Sequence, residues 1–328
     1  MTPALALELS ANAGRDAPAV SVVVSTRNHA RYLGDTLDAI EAQSLRDLEL
    51  VLVDNASSDE TQAVVRAFLD RTTRPVTYLR FTADHGPAVG RSAALERARG
   101  EFVAFTDSDC VPSAEWLDAA VSAFAAGDDA VGIVQGRTEC YEPTSPMFSH
   151  FIETRRFDSS FSTSNVVYRR AALDGHRFDR RCSYWEDTDL GFRVRSDGWH
   201  AAFADDALVF HQVVPQSALE WLLWPRRYAN WPAKAARYPE FRRTLFLRVW
   251  VDPMHAWFDL ALAGALATAT GRRRVGLALL VPYVVSFART RGLRGRAPVV
   301  KAGLHVLRDG VAFCALVAGS VRHRSVVL

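Results

Sequence analysis

EFVAFTDSDCVP, residues 101–112, is the stretch that decides the predicted fold. Its apolar run, residues 102–105, shows no alternation, which is typical of a strand buried on both faces in the middle of a parallel sheet. Two carboxylates follow, Asp107 and Asp109, and side chains two residues apart point to the same side of an extended backbone. Because open α/β sheets bind ligands at the carboxyl ends of their strands, this pair marks a candidate binding site.

Two explanations fit this pair of aspartates. Carboxylate oxygens at a strand end suit Mg²⁺ or Mn²⁺ that bridges to a substrate phosphate. Asp and Ser are also common turn residues, so the same letters describe an ordinary polar turn after a strand. The choice between a cation site and a turn depends on what the rest of the chain brings to the same edge.

Strand and helix patterns alternate from residue 20 to about residue 126. Leu33, Leu37 and Ile40 recur at helical spacing, for example, between two β-branched runs. This alternation predicts an α/β fold, a doubly wound, mostly parallel sheet with helices on both faces. The predicted strands cover residues 20–25, 48–53, 76–81, 102–105, 130–137, 163–170 and 207–210, and the predicted helices include 91–99, 146–156 and one that begins near 183.

Polar side chains follow the first two predicted strands as well. Thr26 and Asn28 lie in the loop after the first strand, and Asp54 ends the second. Asp54 would accept a hydrogen bond from a nucleobase or ribose, or close an Asx turn. Because the carboxyl ends of parallel strands meet at one edge, we expect these residues to converge with Asp107 and Asp109.

Further candidate site residues lie in the second half of the chain, and one more, Arg91, lies at the start of a predicted helix in the first half. Asp187, beside Glu186, opens a predicted helix, where a carboxylate is either an N-cap or an ionised general base for an attacking hydroxyl. Glu186 would orient an acceptor or form a surface ion pair. His211 ends a strand and is either a core histidine or a third metal ligand. Arg91 would meet a phosphate or base, or lie in solvent, and Asn165 would contact a sugar hydroxyl or cap a turn.

Charge is distributed unevenly, although the net charge is only +2. Residues 1–218 hold 21 basic and 32 acidic residues, a net of −11, whereas residues 219–328 hold 18 basic and 5 acidic residues, a net of +13. This asymmetry predicts that the C-terminal part faces an anionic surface, either a membrane or nucleic acid. Residues 1–18 lack the basic and apolar regions of a signal peptide, so we expect a frayed N-terminal tail there.

Residues 216–328 form a basic, apolar and helical region in this prediction. Its apolar segments are residues 253–271, 275–288 and 311–319, with arginines between them. None is predicted to span a bilayer: the first contains His255 and Asp259, the second has 14 residues and includes Pro282, and the third has nine, against about 20 needed. We therefore expect helices that lie in the headgroup region of an anionic membrane, with a helical subdomain packed on the rest of the chain as the alternative. The long apolar runs do not suit a nucleic-acid groove.

Five blocks together resemble a known family. SVVVSTRN, LVLVDNASSDET, GRSAALERARGEFVAFTDSDCVP, TSNVVYRR and YWEDTDLGFRV occur in the order and at the spacings found in the inverting, family-two glycosyltransferases of the GT-A fold. The resemblance covers roughly residues 18–212 and implies that residues 19–215 form a catalytic domain that binds a nucleotide sugar.

The resemblance also implies roles for individual residues. Thr26, Asn28 and Asp54 would hold the base and ribose, Asp107 the ribose, Asp109 the diphosphate-bound metal, and Asp187, with Glu186 beside it, would be the base. The implied reaction is a metal-dependent single displacement, in which an acceptor hydroxyl attacks a nucleotide-diphosphate sugar with inversion. The basic, apolar region 216–328 would fit a lipid-linked or other glycoconjugate acceptor at the cytoplasmic face of the cell membrane. The protein would then be a peripheral or monotopic membrane protein.

Two other functions share part of this pattern. A sugar-nucleotide-binding scaffold without chemistry would keep the cleft, but intact Asp107, Asp109 and Asp187 argue against it. A nucleotidyltransferase would need a glycine-rich phosphate loop after the first strand, and residues 25–30 contain no glycine.

Overall fold

The computed structural model describes residues 4–12, 14, 16–142, 146–182, 184–291 and 298–328. The chain divides into two compact units, Met1–Pro215 and Gln216–Leu328. Each unit has its own set of helices, and only the first contains the large sheet.

The described residues of the first unit form a nine-stranded sheet in the order β1-β4-β3-β2-β5-β9-β7-β10-β6. Strands β4, β3, β2 and β5 run parallel, and β9 is antiparallel between β5 and β7. The strands of this sheet are β1 (Leu5–Ala11), β2 (Val20–Thr26), β3 (Leu48–Asp54), β4 (Val76–Phe81), β5 (Phe102–Asp107), β6 (Cys110–Pro112), β7 (Val131–Cys140), β9 (Val166–Arg169) and β10 (His200–His211). Two short strands, β8 (Ser149–His150) and β11 (Val214–Pro215), form a separate two-stranded sheet. The helices of this unit are α1 (Ala30–Glu41), α2 (Thr61–Leu69), α3 (Pro87–Leu95), α4 (Trp116–Ala126) and α5 (Glu186–Ser196).

The central strands are covered on both faces. Every residue of β3 is buried, as are six of the seven residues of β2. Such burial on both faces explains why these strands are mostly apolar and do not alternate regularly between apolar and polar residues. The predicted mostly parallel, doubly wound sheet is confirmed, and its β2, β3 and β5 carboxyl ends share one edge.

Three local predictions are wrong. Residues 5–11, expected to be a frayed tail, form edge strand β1, which pairs antiparallel with β4 because Leu7, Leu9 and Ala11 alternate onto the core. Residues 146–156, expected to be a helix, instead contain β8, which pairs with β11, and Thr154, which bridges to Thr138. Helix α3 begins at Pro87 and ends at Leu95, four residues before the predicted bounds.

The second unit is helical in its described residues. Its helices are α6 (Ala218–Leu223), α7 (Trp231–Arg237), α8 (Pro253–Ala269), α9 (Arg273–Thr290) and α10 (Pro298–His323). The predicted nine-residue third segment is too short, because α10 continues through Arg308 and Asp309. Within the described part of the chain, α10 is the one helix long and apolar enough to cross a membrane. Asp309 is tolerated in it because the side chain accepts hydrogen bonds from the Tyr283 hydroxyl and Arg291, both at 2.8 Å.

Candidate active site

A cleft of about 330 Å³ lies at the carboxyl ends of β2 and β5. Parallel α/β sheets place their ligands at this edge. Six of the residues that line it were not predicted as site residues from the sequence: Ser25, His29, Asn55, Asp84, His150 and Ile152. The residues predicted from sequence that line it are Thr26, Arg91, Asp107, Asp109 and His211.

Asp109 and His211 face each other across the strand pair β6–β10. In that pair His211 is opposite Cys110, and the backbone N–H of Gln212 donates to the carbonyl of Asp109 at 2.8 Å. His211 Nδ1 lies 2.7 Å from the Gln212 carbonyl, so it carries the proton and donates it there. Its other ring nitrogen, Nε2, lies 3.7 Å from Asp109 Oδ1. Both residues are buried.

These two side chains fit a divalent cation. Burial raises the pKa of Asp109, and the charge of neighbouring Asp107 adds to this effect while His211 opposes it. A cation would therefore stabilise the buried carboxylate. Burial also raises the pKa of Cys110, whose ligand atom lies within 4.8 Å of those of Asp109 and His211, so the thiol stays protonated. The available ligands are thus carboxylate oxygen and imidazole nitrogen, which suit hard or borderline divalent ions.

Arg91 connects the acidic strand end to the start of α5. Its Nη2 donates to Asp107 Oδ1 at 2.8 Å, and its Nη1 donates to Glu186 Oε1 at 2.9 Å. Thr163 Oγ1 also donates to Asp107 Oδ1, at 3.3 Å. The structure therefore brings Arg91, Asp107 and Glu186 together, although they lie far apart in the chain.

Asp187 is the second residue of α5, and Trp185 occupies the N-cap position. The N-cap explanation of Asp187 is therefore excluded. Its Oδ1 accepts from the backbone N–H of Thr188 at 2.6 Å, and its charge acts on Arg91. Three acidic residues in the first turn, Glu186, Asp187 and Asp189, are favourable there because the helix dipole is positive at its N-terminus.

Asp54 and Asn28 organise the loops under the cleft. Asp54 is fully buried and accepts hydrogen bonds from Tyr78 Oη at 3.0 Å, Arg80 Nε at 3.1 Å and the Ser57 backbone at 2.7 Å. Asn28 has a positive φ of 54° and ties its loop to the next one through Ser58, whose N–H donates to Asn28 Oδ1 at 2.8 Å. Neither residue lines the cleft.

Asn55, the residue after Asp54, was missed by sequence reasoning. It lines the cleft, and its Nδ2 donates to Ser25 Oγ at 3.1 Å. Its Oδ1 is buried and accepts no hydrogen bond from the described residues, and the same holds for Thr26 Oγ1. Buried polar atoms without partners are rare in native proteins, and here both belong to residues that line a cleft. That signal exists only in three dimensions.

Asn165 lies in the core of the first unit. Its Nδ2 donates to the carbonyls of Arg137 and Ala207, both at 2.8 Å, and its Oδ1 accepts from Trp116 Nε1 at 2.8 Å. Both amide hydrogens are therefore used between strands. These contacts give Asn165 a structural role in place of the predicted sugar contact.

The fold and site define a class: a chain with a mixed, mostly parallel α/β domain that carries an acidic cleft, and with a separate basic helical unit. The family model "Glycosyl transferase family 2" matches residues 21–176. Glycosyltransferase AglE of Haloferax volcanii is 31% identical over 210 residues, which cover 60% of this chain and 68% of AglE. The chain belongs to glycosyl transferase family 2, and the resemblance seen in its sequence is confirmed.

Other relatives match over shorter stretches. The GalNAc(5)-diNAcBac-PP-undecaprenol beta-1,3-glucosyltransferase of Campylobacter jejuni is 35% identical over 92 residues, 28% of this chain and 30% of that protein. The chain spans about half the length, or less, of several curated relatives that it matches.

A solved structure shares the fold. Mannosyltransferase PcManGT from Pyrobaculum calidifontis, in complex with GDP-Man and Mn²⁺, has a TM-score of 0.57 and 21% sequence identity. The superposition covers 96% of this chain and 89% of the other. The first unit thus has a GT-A-type fold.

Proposed function

We propose that this protein is a metal-dependent, inverting glycosyltransferase that moves a sugar from a nucleotide-diphosphate sugar to an acceptor hydroxyl. One observation carries the proposal. A single cleft holds Asp107, Asp109 and His211, and Arg91 connects Asp107 to Glu186, the residue before Asp187 at the start of α5. Family membership supports the same reaction class.

In the proposed reaction Asp187 is the general base. The acceptor oxygen attacks the anomeric carbon while its proton passes to the Asp187 carboxylate. The bond between that carbon and the diphosphate oxygen breaks, and the nucleoside diphosphate leaves. Configuration inverts because attack and departure occur on opposite sides of the carbon. A carboxylate at a helix N-terminus stays ionised, as this role requires.

Asp109 and His211 are the proposed ligands of Mg²⁺ or Mn²⁺. A cation bound there would offset the negative charge that grows on the diphosphate leaving group. Asp107 is the proposed ribose contact, since its second oxygen, Oδ2, accepts no hydrogen bond among those seen in the described residues.

Asn55 and Thr26 are the proposed contacts to the nucleobase. Because Asn55 Nδ2 is held by Ser25, its Oδ1 can only accept, and it needs an N–H from the ligand. Uracil, thymine and guanine each offer a ring N–H beside a carbonyl, whereas adenine and cytosine do not. We therefore propose a UDP-, dTDP- or GDP-sugar as the donor. Asn28 and Asp54 hold the shape of this subsite from beneath.

We propose that the second unit binds the anionic surface on the cytoplasmic side of the cell membrane. Helices α9 and α10 direct large apolar side chains to the outside, among them Leu277, Val281 and Val284 at 55–61% exposure and Val321 at 76%. One polar pair of the same helices lies inside, where Tyr283 donates to Asp309. An apolar outer face with an internally paired polar group is the arrangement expected of helices that contact lipid.

Arginines supply the matching charge. Arg272, Arg273 and Arg274 lie exposed in the turn between α8 and α9 and at the start of α9. Each basic residue near an anionic bilayer contributes about 1 kcal/mol to its binding. A membrane-bound enzyme would reach a lipid-linked acceptor, which is the kind of substrate that the name of the Campylobacter relative specifies.

Thermal unfolding with candidate donors tests this proposal. A nucleoside-diphosphate sugar that binds the native state should raise the melting temperature only when Mn²⁺ or Mg²⁺ is present. Product analysis with the stabilising donor then distinguishes an enzyme from a binding scaffold. Stabilisation without any transfer or hydrolysis of the sugar would favour the scaffold, and no stabilisation by any donor would contradict both.

A further inference from the structure

Arg91 lies between two carboxylates that belong to different parts of the first unit. Asp107 ends β5, and Glu186 begins α5. The side chains of Arg91, Asp107 and Glu186 are 12%, 20% and 7% exposed, so both ion pairs are largely removed from water. In contrast to surface pairs, which contribute little, pairs of this kind strongly disfavour the loss of one member.

The helix that carries Arg91 is itself fixed on two sides. A Cβ atom at the preceding residue, Gly90, would lie 2.7 Å from Asn55 Nδ2 and 2.9 Å from Ser25 Oγ, so a larger residue would have to displace these side chains. On the other side, Ser92 Oγ accepts from the backbone N–H of Phe178 at 3.1 Å. Helix α3 thus contacts the cleft floor and the segment that leads to α5.

Charge in this neighbourhood depends on Arg91. Burial by itself would lower the pKa of the guanidinium, but Asp107, Glu186 and Asp187 together raise it above the usual value. One permanent cation therefore faces three carboxylates. A planar guanidinium can hold two carboxylates at once in fixed directions, which an ammonium group cannot do.

We propose that Arg91 is a positioning residue, which holds the first turn of α5, and with it Asp187, against the strand end that carries Asp107. This inference rests on the proposed function, and it replaces the sequence-based interpretation of Arg91 as a contact to the nucleotide sugar. Arg91 acts on helix α5 through its ion pair with Glu186, so Glu186 is a positioning residue as well.

The test compares Arg91→Met with Arg97→Met, a matched change two residues beyond the end of α3, where the arginine pairs with Glu8 on the surface. We expect Arg91→Met to lower kcat about 100-fold, because a displaced base cannot reach the acceptor hydroxyl. The Kd of the nucleoside diphosphate, measured by titration calorimetry with Mn²⁺, should change less than about threefold, a small free-energy difference. Arg97→Met should leave both values unchanged.

Two outcomes would overturn the inference. A tenfold or larger rise in the Kd of the nucleoside diphosphate with unchanged kcat would make Arg91 a donor ligand. Independent, multiplying losses of kcat in Arg91→Met, Glu186→Gln and the double variant would show that the two residues do not act as a unit. Arg91→Lys guards against misfolding, since it keeps the charge, and we expect it to recover only part of kcat.

The inference and the proposed function fail in distinguishable ways. If the wild-type protein transfers sugar from no donor, the proposed function is wrong, and so is the catalytic part of this inference. Urea unfolding of the wild type, Arg91→Met, Glu186→Gln and the double variant then tests the ion pair between Arg91 and Glu186. Additive changes in the free energy of unfolding would refute the Arg91–Glu186 contact, and a shortfall in the double variant would support it.

Discussion

The two units of this protein differ in where their polar and apolar side chains lie. In the first unit the strands β2 and β3 are buried and mostly apolar, and polar side chains collect at the strand ends around a cleft. In the second unit α9 and α10 place Tyr283 and Asp309 inside and direct valines and leucines outward. The first arrangement is typical of α/β domains that bind ligands at the carboxyl ends of their strands, and the second is the one expected if the proposed contact with lipid is made.

The largest expected effect concerns the cation site of the first unit. Asp109→Asn should lower transfer about 1000-fold, since it removes a charged ligand from the proposed metal. His211→Gln should give a similar loss, and chelation of divalent ions should reproduce it in the wild-type protein. Steady-state rates with added Mn²⁺ measure this effect. Unchanged activity in Asp109→Asn would show that a cation bound by Asp109 is not needed for transfer.

Asn165 tests whether polar residues of the first unit far from the cleft serve only the fold. Asn165→Ala should lower the free energy of unfolding by about 3 kcal/mol, because it leaves the Trp116 indole N–H and two strand carbonyls without partners. Urea denaturation measures the loss. A fully stable variant with weaker donor binding would instead restore the sugar contact that the sequence suggested.

The outward face of the second unit should bind lipid. Replacing Leu277, Val281 and Val284 together with serine should weaken binding to vesicles that contain anionic lipids about 30-fold or more, since each side chain loses part of its transfer free energy. Sedimentation with vesicles measures the change, and Leu5→Ser in the first unit is the control. Self-association that the triple variant abolishes, without vesicle binding by the wild type, would assign this face to a second copy of the chain.

The smallest effect concerns the nucleobase. Asn55→Ala should raise the KM of the donor about tenfold, the free energy of one hydrogen bond to the ligand, with little change in stability. The contrast with Asn165→Ala is informative because both residues are buried asparagines. Loss of stability without loss of donor affinity would show that Asn55 belongs to the core.

Sequence reasoning reached the central strands and the aspartates because β-branched runs and strand-end carboxylates are local signals. It failed where a single position decides the direction of a side chain. Asp54 and Asn55 are neighbours, and consecutive side chains of an extended strand point to opposite sides, so Asp54 faces Tyr78 and Arg80 while Asn55 lines the cleft. Strand β1 was missed although Leu5, Leu7 and Leu9 alternate, because its pairing with β4 lies about 70 residues away.

The Asp187→Asn variant tests the assignment of the general base most directly, with exposed Asp205→Asn as its control. We expect Asp187→Asn to lose sugar transfer while it binds the nucleoside diphosphate and Mn²⁺ as the wild type does. The free energy of unfolding should stay within about 1 kcal/mol of the wild-type value, since the substitution keeps the size of the side chain. Wild-type turnover in a folded Asp187→Asn protein would contradict the assignment of the base and the mechanism built on it.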